Sequence, residues 1–333
     1  MIGAAKDGVD VTITGLGAKV PDRVVTNDEL AQYVDTSDEW IVERTGIRER
    51  RMASKDEALS DLALPAARTA LAHAGVDGRD LDLIIVATVT PDMSFPSTGA
   101  LLGHALGARD AAAYDLSAGC TGFMYALAQA YGMLAGGLAH RALVVGGDLL
   151  SRILDWTDRS TLVLFGDGVG AVVLEAAPQR GFLGFELGAD GGGGEALWLP
   201  GSGSRIFETP ERYVKMNGRE VFKFATRVLV QSAQSVLERC GLSVADVDVY
   251  IPHQANRRII DHATNKLGIP SERVVVNVDR YGNTSSGSIP LALADAAAEG
   301  RLEPGALVLM TGMGAGLTWG SALIRWSAEM KAA

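Results

Sequence analysis

Two kinds of apolar pattern alternate along this chain. "LDLIIVATV" (81–89) and "ALVVGG" (142–147) are continuous apolar runs of the kind found in strands buried on both faces. "TGFMYALAQAYGMLAGG" (121–137) is apolar almost all round and predicts a buried helix. "VFKFATRVLVQSAQSVLERCG" (221–241) has a single apolar face and stops at a glycine, as a packed surface helix does. "SDLALPAARTALAHAG" (60–75) also reads as helix; with Ser60 as its cap, Pro65 falls just past the first turn and is expected to distort the start. Strands alternating with helices predict an α/β layered fold.

The pattern then repeats. "AGVDGRDLDLIIV" (74–86) aligns with "CGLSVADVDVYIP" (240–252), "GCTGFMYALAQA" from Gly119 with "GNTSSGSIPLALADA" from Gly282, and "ALVVGGD" (142–148) with "ALVLMTG" (306–312). Three matches in the same order at nearly one shift imply a duplication. The expected halves are residues 1–178 and 179–333, with the boundary near Ala176–Gly181 and central helices related by a pseudo-twofold axis. "ADGGGGEALWLPGSGSR" (189–205) is glycine-rich and predicts a surface loop or mobile flap.

Composition narrows the classes. At 333 residues the chain suits two units, and its 47% apolar and 21% charged residues suit a large core. No apolar run reaches the length of a membrane span, and the start lacks the basic and apolar blocks of a signal peptide. Two cysteines provide neither a disulfide framework nor zinc-site spacing, so a reducing, cytoplasmic setting is expected, without a metal. A net charge of −10 argues against nucleic acid as a partner.

The duplication gives the chemistry its place. Overlaying the halves puts Cys120 on Asn283, each just before a helix, and Ala87 on His253. Helix starts meeting at a twofold axis would bring Cys120, His253 and Asn283 together. A thiol at a helix N-terminus is expected to be drawn toward thiolate by the macrodipole. A histidine beside it can handle a proton, and an asparagine amide can donate to an oxyanion. Singly, each has a plainer role: core thiol, strand-end ligand, turn residue. Cys240 keeps the core role, and His73, His104, His140 and His262 are read as ordinary.

With these residues in place, "VDTSDEWIVERTGIRERR", "DLSAGCTGF", "DRSTLVLFGDGVGAVVLE", "VYIPHQANRRII", "GNTSSGSIPLALADA" and "GAGLTWGSALIRW" resemble the motifs of the β-ketoacyl-acyl-carrier-protein synthase III family, from about Thr12 to Trp326. The resemblance implies a homodimer with the five-layered αβαβα thiolase fold, an acyl-CoA primer, malonyl-acyl carrier protein as extender, and no cofactor. It implies that Cys120 carries the acyl group, with the backbone N–H groups of Cys120 and Ala315 as its oxyanion hole. His253 and Asn283 would bind the malonyl thioester oxygen. Trp40 and Arg159 would clamp the CoA adenine, while Arg44, Met216, Gly218, Arg219, Phe222 and Asn256 line the pantetheine channel. Phe95 would close the acyl pocket from across the dimer. Acyl carrier protein would dock on Lys223, Gln254, Ala255, Asn256, Arg257 and Arg258, with Lys266 nearby. Some relatives carry glycine where Ala315 stands.

Five other readings fit parts of the chain. Cys, His and Asn follow the papain order, but the papain-type "CGSCW" context is missing. "GDGVG" and "GMGAG" suggest nucleotide binding, yet neither opens a helix as G-x-G-x-x-G. A priming enzyme or acyltransferase of a polyketide pathway would keep Cys120 and His253. Thiolase needs a second catalytic cysteine, and the hydroxymethylglutaryl-CoA synthase branch fits "GNTSSGS" less well.

Overall fold

Strand residues alternate between two different cores, and that alternation builds the layers. Residues 10–177, 181–206 and 211–327 are described by a computed structural model of the chain. One sheet runs in the order Asp10–Lys19, Asp167–Ala177, Arg141–Leu149, Leu83–Ala87, Ala112–Leu116. Its first two pairings are antiparallel and its last two parallel. The second sheet runs Phe182–Ala189, Thr318–Arg325, Leu307–Gly314, Val249–Pro252, again with two antiparallel pairings and then a parallel one. The two sheets thus share one succession of strand directions. The expected boundary at 178/179 lies outside the described residues.

Within Leu83–Ala87 all five residues are buried. Leu83, Ile85 and Ala87 face a central core, whereas Ile84 and Val86 face an outer one, as a side-chain period of two requires. Val249 and Ile251 face the same central core, and Tyr250 the opposite outer one. Helices Gly122–Ala135 and Ser288–Ala298 fill the space between the sheets through Phe123, Leu127, Ile289 and Leu293. Leu59–Ala74 covers the first sheet outside. Gly218–Arg239 and Arg257–Leu267 cover the second. The result is five layers, α-β-α-β-α. The largely apolar 122–135 segment follows from a helix packed between the two sheets, with only the stripe through Gln129 and Gly132 exposed.

Two expectations change. The first helix begins at Leu59, one residue before Ser60, and runs unbroken through Pro65 to Ala74. The Asp61 carboxylate accepts from the Ala58 N–H at 2.8 Å and closes the N-terminus, while the Ser60 hydroxyl bonds Asp92 at 2.6 Å instead of capping. The glycine-rich stretch is also more than a surface loop. Asp190 and Leu317 exchange two backbone hydrogen bonds, and Leu197–Trp198 pairs antiparallel with Lys215–Met216. This pins Leu197, Trp198 and Leu199 against an internal cavity.

Candidate active site

Cys120 sits in a tight turn, Gly119–Thr121, that feeds directly into the central helix Gly122–Ala135. The turn is squeezed against the end of strand Leu307–Gly314. A Cβ on Gly314 would stand 2.7 Å from the Cys120 nitrogen, and one on Gly119 would stand 2.8 Å from the Ala315 oxygen. Gly119 also has a φ of 55°, so both glycines are required for this backbone contact. The contact brings the N–H groups of Cys120 and Ala315 into hydrogen-bonding reach of the Cys120 sulfur. The methyl of Ala315 leaves that arrangement intact, because the donor is main chain.

His253 follows the strand Val249–Pro252, its N–H held by the Thr311 carbonyl at 2.8 Å. It is 1% exposed. Its Nδ1 lies 2.5 Å from the Ser288 hydroxyl, which also accepts from the Gln254 N–H at 3.4 Å. A hydroxyl has one proton. Donation of that proton to Nδ1 is the arrangement that leaves the ring proton on Nε2. Burial pushes the imidazole down to about 4, so the ring is neutral and Nε2–H is a donor.

Asn283 is turned into a donor in the same way. Its Oδ1 accepts from the Ser285 N–H at 2.9 Å, which leaves the amide NH2 free of that turn. Its backbone is fixed by Asn283 N–H to Leu164 carbonyl at 2.8 Å and Gly166 N–H to Asn283 carbonyl at 3.0 Å. Ser285 holds a φ of 53°, uncommon for a residue with a side chain, and its hydroxyl bonds the Cys120 sulfur. Sequence reading missed Ser285 and Ser288. The available signal was "NTSSGS", a run of small hydroxyl residues at a helix start, read as a family motif carrying Asn283 with no role for its serines.

One cavity collects Cys120, His253, Asn283, Met216, Gly218, Phe222 and Asn256. A second opens from Cys120 in another direction, has a volume of about 250 Å3, and is lined by Val89, Leu150, Leu154, Phe165, Leu197, Trp198 and Val214 beside Ala315. The thiol therefore stands where an apolar chamber meets a channel bearing two N–H donors. Burial pushes the thiol up to about 11, while Ser285 and the N–H groups of Cys120 and Ala315 pull it only partly back. The pull toward thiolate expected at a helix start is outweighed by burial, which favours a resting thiol.

The other candidates lie farther out. The guanidiniums of Arg44 and Arg159 stand over the Trp40 ring, 4.9 and 4.8 Å from its centre. The Asn256 amide bonds the Arg44 carbonyl at 3.2 Å, linking this cluster to the channel. Arg219 and Lys223 are exposed on the helix above it. Arg258 lies 5.6 Å from the Phe222 ring centre, while Arg257 pairs with Asp261 at 2.7 Å. Gln254 is 1% exposed, and its amide is bonded to Pro252, Val275 and Asn277, so its side chain is out of a docked protein's reach. Ala255 lines the channel instead. Lys266 is exposed near the far end of its helix. Phe95 is 85% exposed and belongs to neither cavity of this chain. Among the described residues no helix is long and apolar enough to cross a membrane, and no His, Cys, Asp and Glu side chains cluster as metal ligands.

Comparison with known proteins gives this geometry its context. Residues 114–191 match the 3-oxoacyl-[acyl-carrier-protein] synthase III family, and residues 237–326 match its C-terminal region. The chain is 55% identical over 323 residues to beta-ketoacyl-[acyl-carrier-protein] synthase III of Symbiobacterium thermophilum, covering 95% of this chain and 98% of that one. The crystal structure of the Thermus thermophilus synthase III superposes with a TM-score of 0.91 at 50% identity, covering 95% and 99% of the two chains. The priming beta-ketosynthase of the R1128 polyketide pathway superposes with a TM-score of 0.92 at 37% identity, covering 98% and 99%. The five layers are those of the thiolase-fold synthases, and the chain belongs to the 3-oxoacyl-[acyl-carrier-protein] synthase III family.

Proposed function

We propose that this condensing acyltransferase joins a short-chain acyl group from acyl-CoA to malonyl-acyl carrier protein, giving 3-oxoacyl-acyl carrier protein, CoA and carbon dioxide. The observation that carries this reading is the buried thiol between an apolar chamber and a channel ending at two N–H donors. Identities of 51–55% to beta-ketoacyl-[acyl-carrier-protein] synthases III, against 37% to the polyketide priming enzyme, favour initiation of fatty-acid synthesis. The acyl-CoA thioester enters the channel and its carbonyl oxygen accepts from the Cys120 and Ala315 N–H groups. Sulfur attacks, the C–S bond to CoA breaks, and CoA leaves as thiol with the cysteine proton. Malonyl-acyl carrier protein then places its thioester oxygen against His253 Nε2–H and the Asn283 amide. The bond to the carboxylate breaks, carbon dioxide leaves, and the enolate held by those donors attacks the acyl carbon. The Cys120 sulfur departs and regains a proton.

The outer groups fit binding roles. Trp40 with Arg159 suits a planar base, and Arg44, Arg219 and Asn256 suit contacts with the arm that would run from there to Cys120. Lys223 and Arg258 give a local positive patch on a chain of net charge −10, suited to an acidic carrier protein. Phe95, on an exposed segment, suits a contact with a second protomer of a homodimer. The protein is assigned to the cytoplasm, where acyl-CoA and reduced thiols coexist.

Two variants test these roles. Trp40→Ala is expected to raise the KM for acetyl-CoA about tenfold or more with kcat little changed, the pattern of lost uniform binding; an equal fall in kcat would remove the clamp. Arg258→Ala is expected to raise the KM for malonyl-acyl carrier protein several-fold at low salt, with the difference shrinking as salt is added. An unchanged KM at low salt would place the docking patch elsewhere.

A further inference from the structure

Asp148 is fully buried at the end of strand Arg141–Leu149, and none of the steps above uses it. Its two oxygens face different halves of the molecule. Oδ1 accepts from the Val89 N–H at 2.7 Å, the Thr88 hydroxyl at 2.8 Å, the Thr90 hydroxyl at 3.0 Å and the Thr90 N–H at 3.2 Å. Among the described residues Oδ2 faces only Ser286, its hydroxyl at 3.0 Å and its N–H at 3.4 Å. The Ser286 hydroxyl also reaches the Ala87 carbonyl at 2.7 Å. Ser286 is the middle of the turn that presents Asn283 at one end and, through Ser288, fixes the His253 ring at the other.

We infer that Asp148 is a positioning residue for the decarboxylation step: its Oδ2 anchors the 283–288 turn so that the Asn283 and His253 donors converge on one oxygen. The inference rests on the proposed function and deepens it. Acyl transfer needs the 119–120 and 314–315 contact, which Asp148 does not touch. The two half-reactions therefore depend on Asp148 unequally. A carboxylate here also carries a cost, because its charge, close to a buried thiol, opposes thiolate formation. His253, across the shared channel, is the other titratable group facing Cys120. Tyr125 and Tyr131 on the adjoining helix turn to Gly188 and Phe182, and Arg325 sits exposed at the far end of its strand.

Asp148→Asn separates these effects. Asparagine keeps an oxygen for the Thr88–Thr90 donors but removes the acceptor for the Ser286 N–H; its NH2 can donate only to the Ser286 hydroxyl oxygen, whose own proton then goes to the Ala87 carbonyl. Two readouts are measured in wild type and variant: acetyl transfer from acetyl-CoA to Cys120, and carbon dioxide release from malonyl-acyl carrier protein. Carbon dioxide release is expected to fall about 30-fold or more while acetyl transfer at pH 7 stays within about threefold. Alkylation of Cys120 by iodoacetamide is expected to become several-fold faster at a given pH. Ser286→Ala keeps the charge and removes the hydroxyl. It is expected to slow carbon dioxide release about fivefold or more with alkylation unchanged, and it serves if the asparagine variant does not fold. Parallel loss of both half-reactions in either variant, or carbon dioxide release at the wild-type rate, would overturn the inference. The wild-type half-reactions report on the proposed function, and only the ratio between variant and wild type reports on Asp148.

Discussion

Replacing His253 by alanine is expected to cut carbon dioxide release from malonyl-acyl carrier protein by about 10²–10³-fold, the usual loss on removing one donor to a developing oxyanion. Acyl transfer to Cys120 should change by no more than a few-fold, because the sulfur has its own donors in the Cys120 and Ala315 N–H groups. Asn283→Ala is expected to behave alike. The pH dependence follows from the ring's environment. Burial lowers His253 to about 4, below its ordinary value near 6.5, so the neutral donor persists from pH 8 down to pH 5 and is lost only as the pH approaches 4. The folded state therefore binds fewer protons at this site than the unfolded chain between pH 6.5 and 4. Its contribution to stability falls as the pH drops through that window. A decarboxylation rate that halves near pH 6.5 in step with histidine protonation would contradict the donor assignment.

The second large effect concerns Cys120 itself. With the thiol pushed up to about 11 by burial, thiolate is scarce at pH 7. Iodoacetamide alkylation of the free enzyme should therefore accelerate about tenfold per pH unit between pH 7 and 9, with no plateau. A plateau near neutral pH would mean that the helix terminus and the Ser285 hydroxyl outweigh burial. The substrate changes this balance, since a thioester oxygen drawn against the Cys120 and Ala315 N–H groups makes the carbonyl carbon a better target for a thiol losing its proton.

The opposite signs of expectation and structure at Cys120 show what a sequence carries and what it does not. Helix starts are local, and "GCTGF" declared one; the dipole argument followed from that alone. Burial is collective. It comes from Gly314 and Ala315, nearly two hundred residues away, pressing on the turn. The duplicated motifs made the layered fold legible because each strand's two faces were written in its own residues, as in Leu83–Ala87. The same motifs foretold that Cys120, His253 and Asn283 would share one place, and they line one cavity. The hydroxyl residues were harder. Ser285, Ser286 and Ser288 look interchangeable in "NTSSGS", yet one touches sulfur, one a buried carboxylate and one the imidazole. Only the path of the turn distinguishes them. Leu197–Leu199 were hidden for another reason: glycines on either side mark a loop, and nothing local reveals that Leu317 and Met216 hold it over a chamber.

The central claim is that Cys120 carries the acyl group between two half-reactions, and intact-protein mass measurement tests it most directly. Wild type and Cys120→Ser are mixed in turn with acetyl-, isobutyryl- and octanoyl-CoA, then with malonyl-acyl carrier protein. The account predicts a single acyl adduct on wild type, none on the serine variant, and its disappearance on addition of malonyl-acyl carrier protein as 3-oxoacyl-acyl carrier protein forms. The relative yields of the three adducts would rank the primers that the chamber of about 250 Å3 accepts. No adduct from any of the three, or an adduct that persists on the serine variant, would contradict the account at its foundation.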